Sequence, residues 1–134
     1  NTFAQMLRAA FADAALTPSA IDYINTHGTG TILNDATEAS FIEQTFGAKP
    51  LLNSTKSILG HSIGAAGALE FVVTALSLKH QTVHGSRNLD KPIANLNFAL
   101  ATREATLNYA LTHNFGFGGH NAALVLRRYD GALV

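Results

Sequence analysis

The chain reads as an α/β protein with a mixed sheet, and three features of the sequence predict it. Helical apolar spacing alternates with short extended apolar segments, the pattern from which layered α/β architectures are built. Glycine-rich turns follow two of those segments, one holding Gly28 and Gly30 and one holding Gly60, Gly64 and Gly67. Two further strand-like stretches close the chain around Phe115-Gly116-Phe117-Gly118-Gly119 with no helix between them, which makes the sheet mixed.

Taken in order, Phe3, Met6, Leu7, Ala10, Phe11 and Ala14 recur at helical spacing, so an amphipathic helix is expected to about Leu16, where Thr17-Pro18 breaks it. Ile21 to Thr26 reads as a short buried strand. After the Gly28 to Thr31 turn, Asn34 or Asp35 is expected to cap a second helix with Ala36, Ala39, Ile42 and Phe46 on its inner face and Gly47 at its end. Pro50 to Thr55 is the next strand. From Gly64 to Leu78 the sequence is apolar almost all round, with only Glu70, Thr74 and Ser77 interrupting, which predicts a helix buried in a larger body. The segment from His80 to Ala101 is loop-rich, and Ala105 to His113 and Asn121 to Arg128 are the closing strands.

Composition excludes several classes. With 47% hydrophobic and 13% charged residues, the chain is apolar for a free-standing unit and is expected to bury surface against further polypeptide. Nine basic and nine acidic residues cancel, and no basic cluster exceeds Arg127-Arg128, so nucleic acid is not an expected partner. No apolar run reaches the roughly 18 residues of a membrane span, and no signal-peptide pattern leads the chain. The lack of cysteine removes a disulfide framework and fits a cytoplasmic location. His80 and His84 are four apart but straddle a helix end and a loop, so no metal site is expected.

Two histidines carry the chemistry, His27 in Thr26-His27-Gly28-Thr29-Gly30-Thr31 and His61 in Leu59-Gly60-His61-Ser62. One histidine in an apolar protein is more often a packed or surface residue, but both of these follow strand patterns and adjoin glycine-rich turns. A helix N-terminus disfavours an imidazolium just before it, so His61 is expected to act as a neutral hydrogen-bond donor. Neutral imidazoles so placed suit a developing enolate or thioester oxyanion. Lys56, five residues before His61, can fold its stem toward the same spot, with Glu38 on the second helix as its expected carboxylate partner. The chain offers no cysteine and no serine elbow, so a site half built for acyl chemistry lacks a nucleophile of its own.

Four motifs in order then resemble the β-ketoacyl-acyl-carrier-protein synthases, and most closely their elongating type. They are Asp22-Tyr23-Ile24-Asn25-Thr26-His27-Gly28-Thr29-Gly30-Thr31, Asn34-Asp35 with Glu38, Ser54-Thr55-Lys56-Ser57 through His61 to Gly64-Ala65-Ala66-Gly67, and Asn114-Phe115-Gly116-Phe117-Gly118-Gly119-His120-Asn121. The resemblance implies a thiolase-like, layered α/β/α fold in which residues 1–134 supply most of the second, C-terminal half-domain, the N-terminal half lying outside this chain. It implies decarboxylative Claisen condensation of an acyl thioester with malonyl-acyl-carrier protein in fatty acid or polyketide elongation. His27 and His61 become two members of a Cys-His-His triad, Lys56 the active-site lysine, and Glu38 the carboxylate that pairs with it. Thr29 and Thr31 match residues that bond the phosphopantetheine arm of the carrier protein, and Phe117 and Gly118 match the gating loop, with Phe115 lining the acyl pocket.

The implied partners are an N-terminal segment carrying the cysteine, acyl carrier protein, and a second ketosynthase-like subunit in a homodimer or heterodimer; no resident cofactor is implied. A non-catalytic partner of the chain-length-factor or decarboxylase kind would share the fold, and retention of both histidines and the lysine favours the condensing subunit. The chain departs from the family pattern at Ile32, where many relatives have proline, at Asn114, where they have serine, and over Val83 to Arg87, which is usually proline-rich. The first two adjoin site positions and are expected to alter loop shape.

Overall fold

The structure is a computed structural model that describes residues 2–131. A four-stranded sheet in the order β2-β1-β5-β6 forms its centre, built from β1 (Tyr23–Asn25), β2 (Leu51–Asn53), β5 (Tyr109–Phe115) and β6 (Asn121–Arg127). β1 runs parallel to β2 and β5, while β6 pairs antiparallel with β5, so the sheet is mixed as the sequence predicts. A separate two-stranded ribbon joins β3 (Thr82–Val83) to β4 (Arg103–Glu104).

The register places side chains of the parallel strands in rows. Ile24, Leu52 and Leu111 share one row and are almost fully buried, and they pack with Phe3, Leu7 and Phe11 of α1 (Thr2–Ala14) and Ile42 of α2 (Ile32–Phe46). The alternate row, Tyr23, Leu51 and Ala110, packs with Leu78 of α4 (Ala66–His80). The period of two along each strand thus puts α1 and α2 on one face and α4 on the other, giving three layers. Full burial of a side chain such as Ile24 contributes roughly 1.5–3 kcal/mol.

Several boundaries differ from the sequence expectation for identifiable reasons. α1 stops two residues early because Ala15 turns left-handed at φ 52°, and the Leu16 and Ala15 N–H groups bond back to Phe11 and Ala12 carbonyls at 3.1 and 3.3 Å. This double wrap satisfies the helix end before Pro18 is reached. α2 begins at Ile32 with Thr31, not Asn34 or Asp35, at the cap position. The side chains of Asn34 and Asp35 reach elsewhere: Asp35 Oδ1 accepts the Gly30 N–H at 3.2 Å and Asn34 Nδ2 donates to Glu38 at 3.0 Å. β5 starts at Tyr109 because Leu107 and Asn108 N–H groups are taken by Gln81 Oε1 and Asp22 Oδ2, both at 2.8 Å. Lys56 opens a one-turn helix, α3 (Lys56–Leu59), shortly after β2.

α4 is long and apolar, yet it is inverted relative to a surface helix. Glu70, Thr74 and Ser77, the interruptions in its apolar run, form the buried stripe, while Leu69, Phe71, Val72 and Leu76 are 40–52% exposed. The inward stripe meets a polar patch on the sheet, with Asn25 Nδ2 donating to Thr74 Oγ1 at 3.2 Å and to Thr55 Oγ1 at 2.8 Å. Among the described residues, no helix is long and apolar enough to cross a membrane.

Candidate functional site

The three mutually parallel strands end on one edge, and their C-terminal ends are where ligands gather in open α/β sheets. His27 lies two residues beyond β1, Lys56 three beyond β2, and His113 and Asn114 within the last turns of β5. Gly28 lets the first of these loops close: it sits at φ +44°, and a Cβ there would stand 2.5 Å from Ser54 Oγ. Ser54 Oγ in turn donates to the Gly28 carbonyl at 2.9 Å, tying the loop after β1 to the loop after β2.

Lys56 and His27 meet as the sequence predicts, but the lysine's carboxylate is Glu70 of α4, not Glu38. Lys56 Nζ pairs with Glu70 Oε1, and both side chains are almost fully buried. The reason is layering: Glu38 projects from α2 on one face of the sheet, and the lysine stem folds toward α4 on the other. The same ammonium reaches Asn114 Oδ1 and His27 Nδ1, each at 3.2 Å, and Asn114 Nδ2 donates to Glu70 Oε2. All three ammonium protons therefore have acceptors, and both Glu70 oxygens have donors.

Glu38 has a different task. Its Oε1 accepts the His27 N–H at 2.8 Å, its Oε2 accepts the Gly28 N–H at 2.9 Å, and His113 Nε2 lies 2.6 Å from Oε1. Burial pushes its carboxyl up, but the His113 bond and charge, together with the two backbone donors, outweigh this and hold it below the usual carboxylate range. Glu38 is the buried anchor of the His27 loop.

His27 is buried, and burial first and the Lys56 ammonium second push its pKa below the ordinary value. Its Nδ1 stands between a donor and an acceptor, 3.2 Å from the Lys56 ammonium and 3.0 Å from Asn114 Oδ1. His61 is exposed, and its Nδ1 accepts the Ile63 N–H at 3.1 Å, which leaves its proton on Nε2. The two rings stand edge to face with centroids 6.0 Å apart, and Phe115 packs edge-on to His27 at 5.1 Å. The geometry is two imidazoles side by side, one rigidly backed and one near the surface.

The remaining expected residues lie on exposed rims. Thr29 and Thr31 bond each other through their hydroxyls at 2.9 Å on the loop before α2. Phe117 is fully exposed, and Gly118 takes φ 77° beside it. Sequence reasoning missed three site residues: Glu70, Asn114 as a polar bridge, and His113. Glu70 had a signal, being the one acid in an apolar helical run; His113, the partner of Glu38, had none beyond its place beside Asn114.

Residues 1–90 match the family described as β-ketoacyl synthase, C-terminal domain. A 3-oxoacyl-[acyl-carrier-protein] synthase 1 of Haemophilus influenzae is 45% identical over 116 residues, covering 83% of this chain and 29% of the relative. Among solved structures, a type II polyketide synthase ketosynthase bound to a hexaketide, in complex with its acyl-carrier protein, superposes with a TM-score of 0.89 at 32% identity over 95% of this chain and 33% of that one. A ketosynthase in complex with its chain length factor from Xenorhabdus doucetiae gives a TM-score of 0.83 at 32% identity, covering 91% of this chain and 32% of that one. The chain spans about a third of the length of these relatives.

Proposed function

Because the chain belongs to the β-ketoacyl synthase family, whose solved members share its thiolase-like fold, we propose that it supplies the decarboxylating half of a condensing site. A malonyl thioester is held with its carbonyl oxygen between the Nε2–H groups of His27 and His61. The bond from C2 to the carboxylate breaks, carbon dioxide leaves, and the electron pair passes into an enolate whose oxygen accepts both hydrogen bonds. C2 then attacks an acyl group held as a thioester on a cysteine from polypeptide outside this chain, and the thiolate departs.

The single observation that carries this reading is the pairing of the two imidazoles, edge to face with centroids 6.0 Å apart and with the Lys56 ammonium beside His27. Lys56 backs His27, Glu70 holds Lys56, and Glu38 anchors the His27 loop; Thr29, Thr31, Phe115, Phe117 and Gly118 belong to the approach for a phosphopantetheine-borne substrate. That arm belongs to acyl carrier protein, the proposed partner together with a second ketosynthase-like subunit, and the chemistry calls for no resident cofactor. Residues 1–134 act in this scheme as the C-terminal half-domain of a cytoplasmic enzyme.

His61→Ala in the complete protein is the test. Removing one oxyanion donor is expected to slow malonyl decarboxylation about 10²- to 10³-fold, while transfer of the acyl group onto the cysteine changes only a few-fold. Equal loss of both steps would overturn the assigned role.

A further inference from the structure

We propose that His113 is a positioning residue for the condensing site: its buried imidazole fixes the Glu38 carboxylate on the His27–Gly28 backbone and so sets where the His27 ring stands. This inference rests on the condensing reading above and adds a residue to it.

The placement follows from β5. Side chains two apart on a strand share a face, so His113 lies with Leu111 on the side of the sheet covered by α1 and α2. There the ring is 1% exposed and packs with Phe3 of α1, centroids 5.4 Å apart, and with Phe115 at 5.2 Å. A carboxylate only accepts, so His113 Nε2, 2.6 Å from Glu38 Oε1, carries the hydrogen. The same Oε1 accepts the His27 N–H at 2.8 Å, and Oε2 accepts the Gly28 N–H at 2.9 Å. One carboxylate thus joins β5 to the loop after β1, and its orientation on both peptides depends on the ring that holds it from the sheet.

Packing alone does not account for this imidazole. Its Nδ1 is buried with no hydrogen-bond partner among the described residues, a cost that a phenyl ring in the same place would not carry. The polar gain lies wholly at Nε2, on Glu38. Asn34 divides its amide between Glu38 at 3.0 Å and Asp35 at 3.1 Å, and Lys56 is committed to Glu70 on the α4 side. Around the pair, α1 presents Phe3, α2 presents Asp35 through Asn34, and the β1 loop presents His27, beyond which stand Lys56 and Glu70. Burial raises the Glu38 pKa, and the largest opposing influence is the His113 bond, followed by the His113 charge and then the two backbone donors.

The test uses the complete protein and two variants that divide the properties of the ring. His113→Phe keeps the aromatic packing and removes the donor, whereas His113→Gln removes the ring and keeps a donor at Nε2. In His113→Phe, kcat for malonyl decarboxylation is expected to fall about 10- to 100-fold, since a small displacement of His27 suffices, with KM little changed. Protection of the His27 and Gly28 amides from hydrogen exchange should be lost at higher pH than in the wild type, because Glu38 takes up its proton earlier once the donor is gone. His113→Gln should recover most of the rate and lose protection at an intermediate pH, since it restores the bond without the charge. Should His113→Phe fail to fold, the upward move in His113→Gln decides the matter. A pH of lost protection that does not move in either folded variant would overturn the inference. So would a His113→Phe protein more active than His113→Gln, which would assign the imidazole to packing alone. If wild-type protein releases no carbon dioxide from a malonyl thioester, the condensing reading fails, and the exchange profile still judges His113.

Discussion

Glu38 illustrates how a buried charge is kept and what it does. Four donors converge on its two oxygens, from the His27 and Gly28 backbone, Asn34 Nδ2 and His113 Nε2. Charge-assisted bonds of this kind are worth about 1.5–3 kcal/mol each, and losing an acceptor strands buried donors. Glu38→Gln should therefore weaken the loop by about 2–3 kcal/mol, read as faster hydrogen exchange of the segment around His27 and Gly28. Both Glu38 and His27 have pKa values depressed by folding, so the unfolded chain binds more protons and stability falls on acidification. The His27 contribution is complete above its ordinary value near 6.5 and is lost below it; the Glu38 contribution is complete above 4.5 and is lost as pH falls through the depressed value. The melting temperature should decline from pH 7 to 5 through His27 and further below pH 4.5 through Glu38; Glu38→Gln should abolish only the lower phase.

At the scale of elements, what was legible in the sequence is what local spacing controls. The apolar repeat of Phe3, Leu7 and Phe11 set α1, and the strand-turn-helix order set the mixed sheet. The lysine's partner was not legible, because Glu38 and Glu70 are both acids on helices near in sequence, and only the register of β1 puts α2 and α4 on opposite faces. The inversion of α4 was half legible: Glu70, Thr74 and Ser77 stood out, but their inward direction depends on Asn25 and Thr55 waiting beneath them. The junction of β1 and α2 depends on Gly28, where a Cβ would lie 2.7 Å from Ser54 Cβ as well as 2.5 Å from its Oγ. Gly28→Ala should cost about 2–3 kcal/mol through this clash and the positive φ, with His27 displaced. Adding Ser54→Gly should restore part of the loss in a double-mutant cycle; a strictly additive pair would exclude the clash as its cause.

For the molecule as a whole, the outward face of α4 is the decisive feature. Leu69, Phe71, Val72 and Leu76 on that helix, with Ile63 at 78% exposure just before it, form an apolar surface beside His61, on the layer that carries Glu70. So many large apolar side chains exposed on one short stretch are uncommon on a self-sufficient monomer, and the chain spans about a third of the length of its relatives. In the proposed half-site scheme this patch packs against the further polypeptide that also brings the nucleophile, since this chain holds no cysteine. Residues 1–134 produced alone should self-associate and condense nothing, and Val72→Lys with Leu76→Lys should make that piece more soluble. The same pair of substitutions in the full-length protein should act in the opposite direction, lowering its melting temperature and condensing activity by burying two charges without partners. Analytical ultracentrifugation of the piece and calorimetry of the full-length protein read the two signs separately. Improved solubility of the piece with no loss in the full-length protein would mean that this face stays open to water, and the half-site scheme would then fail.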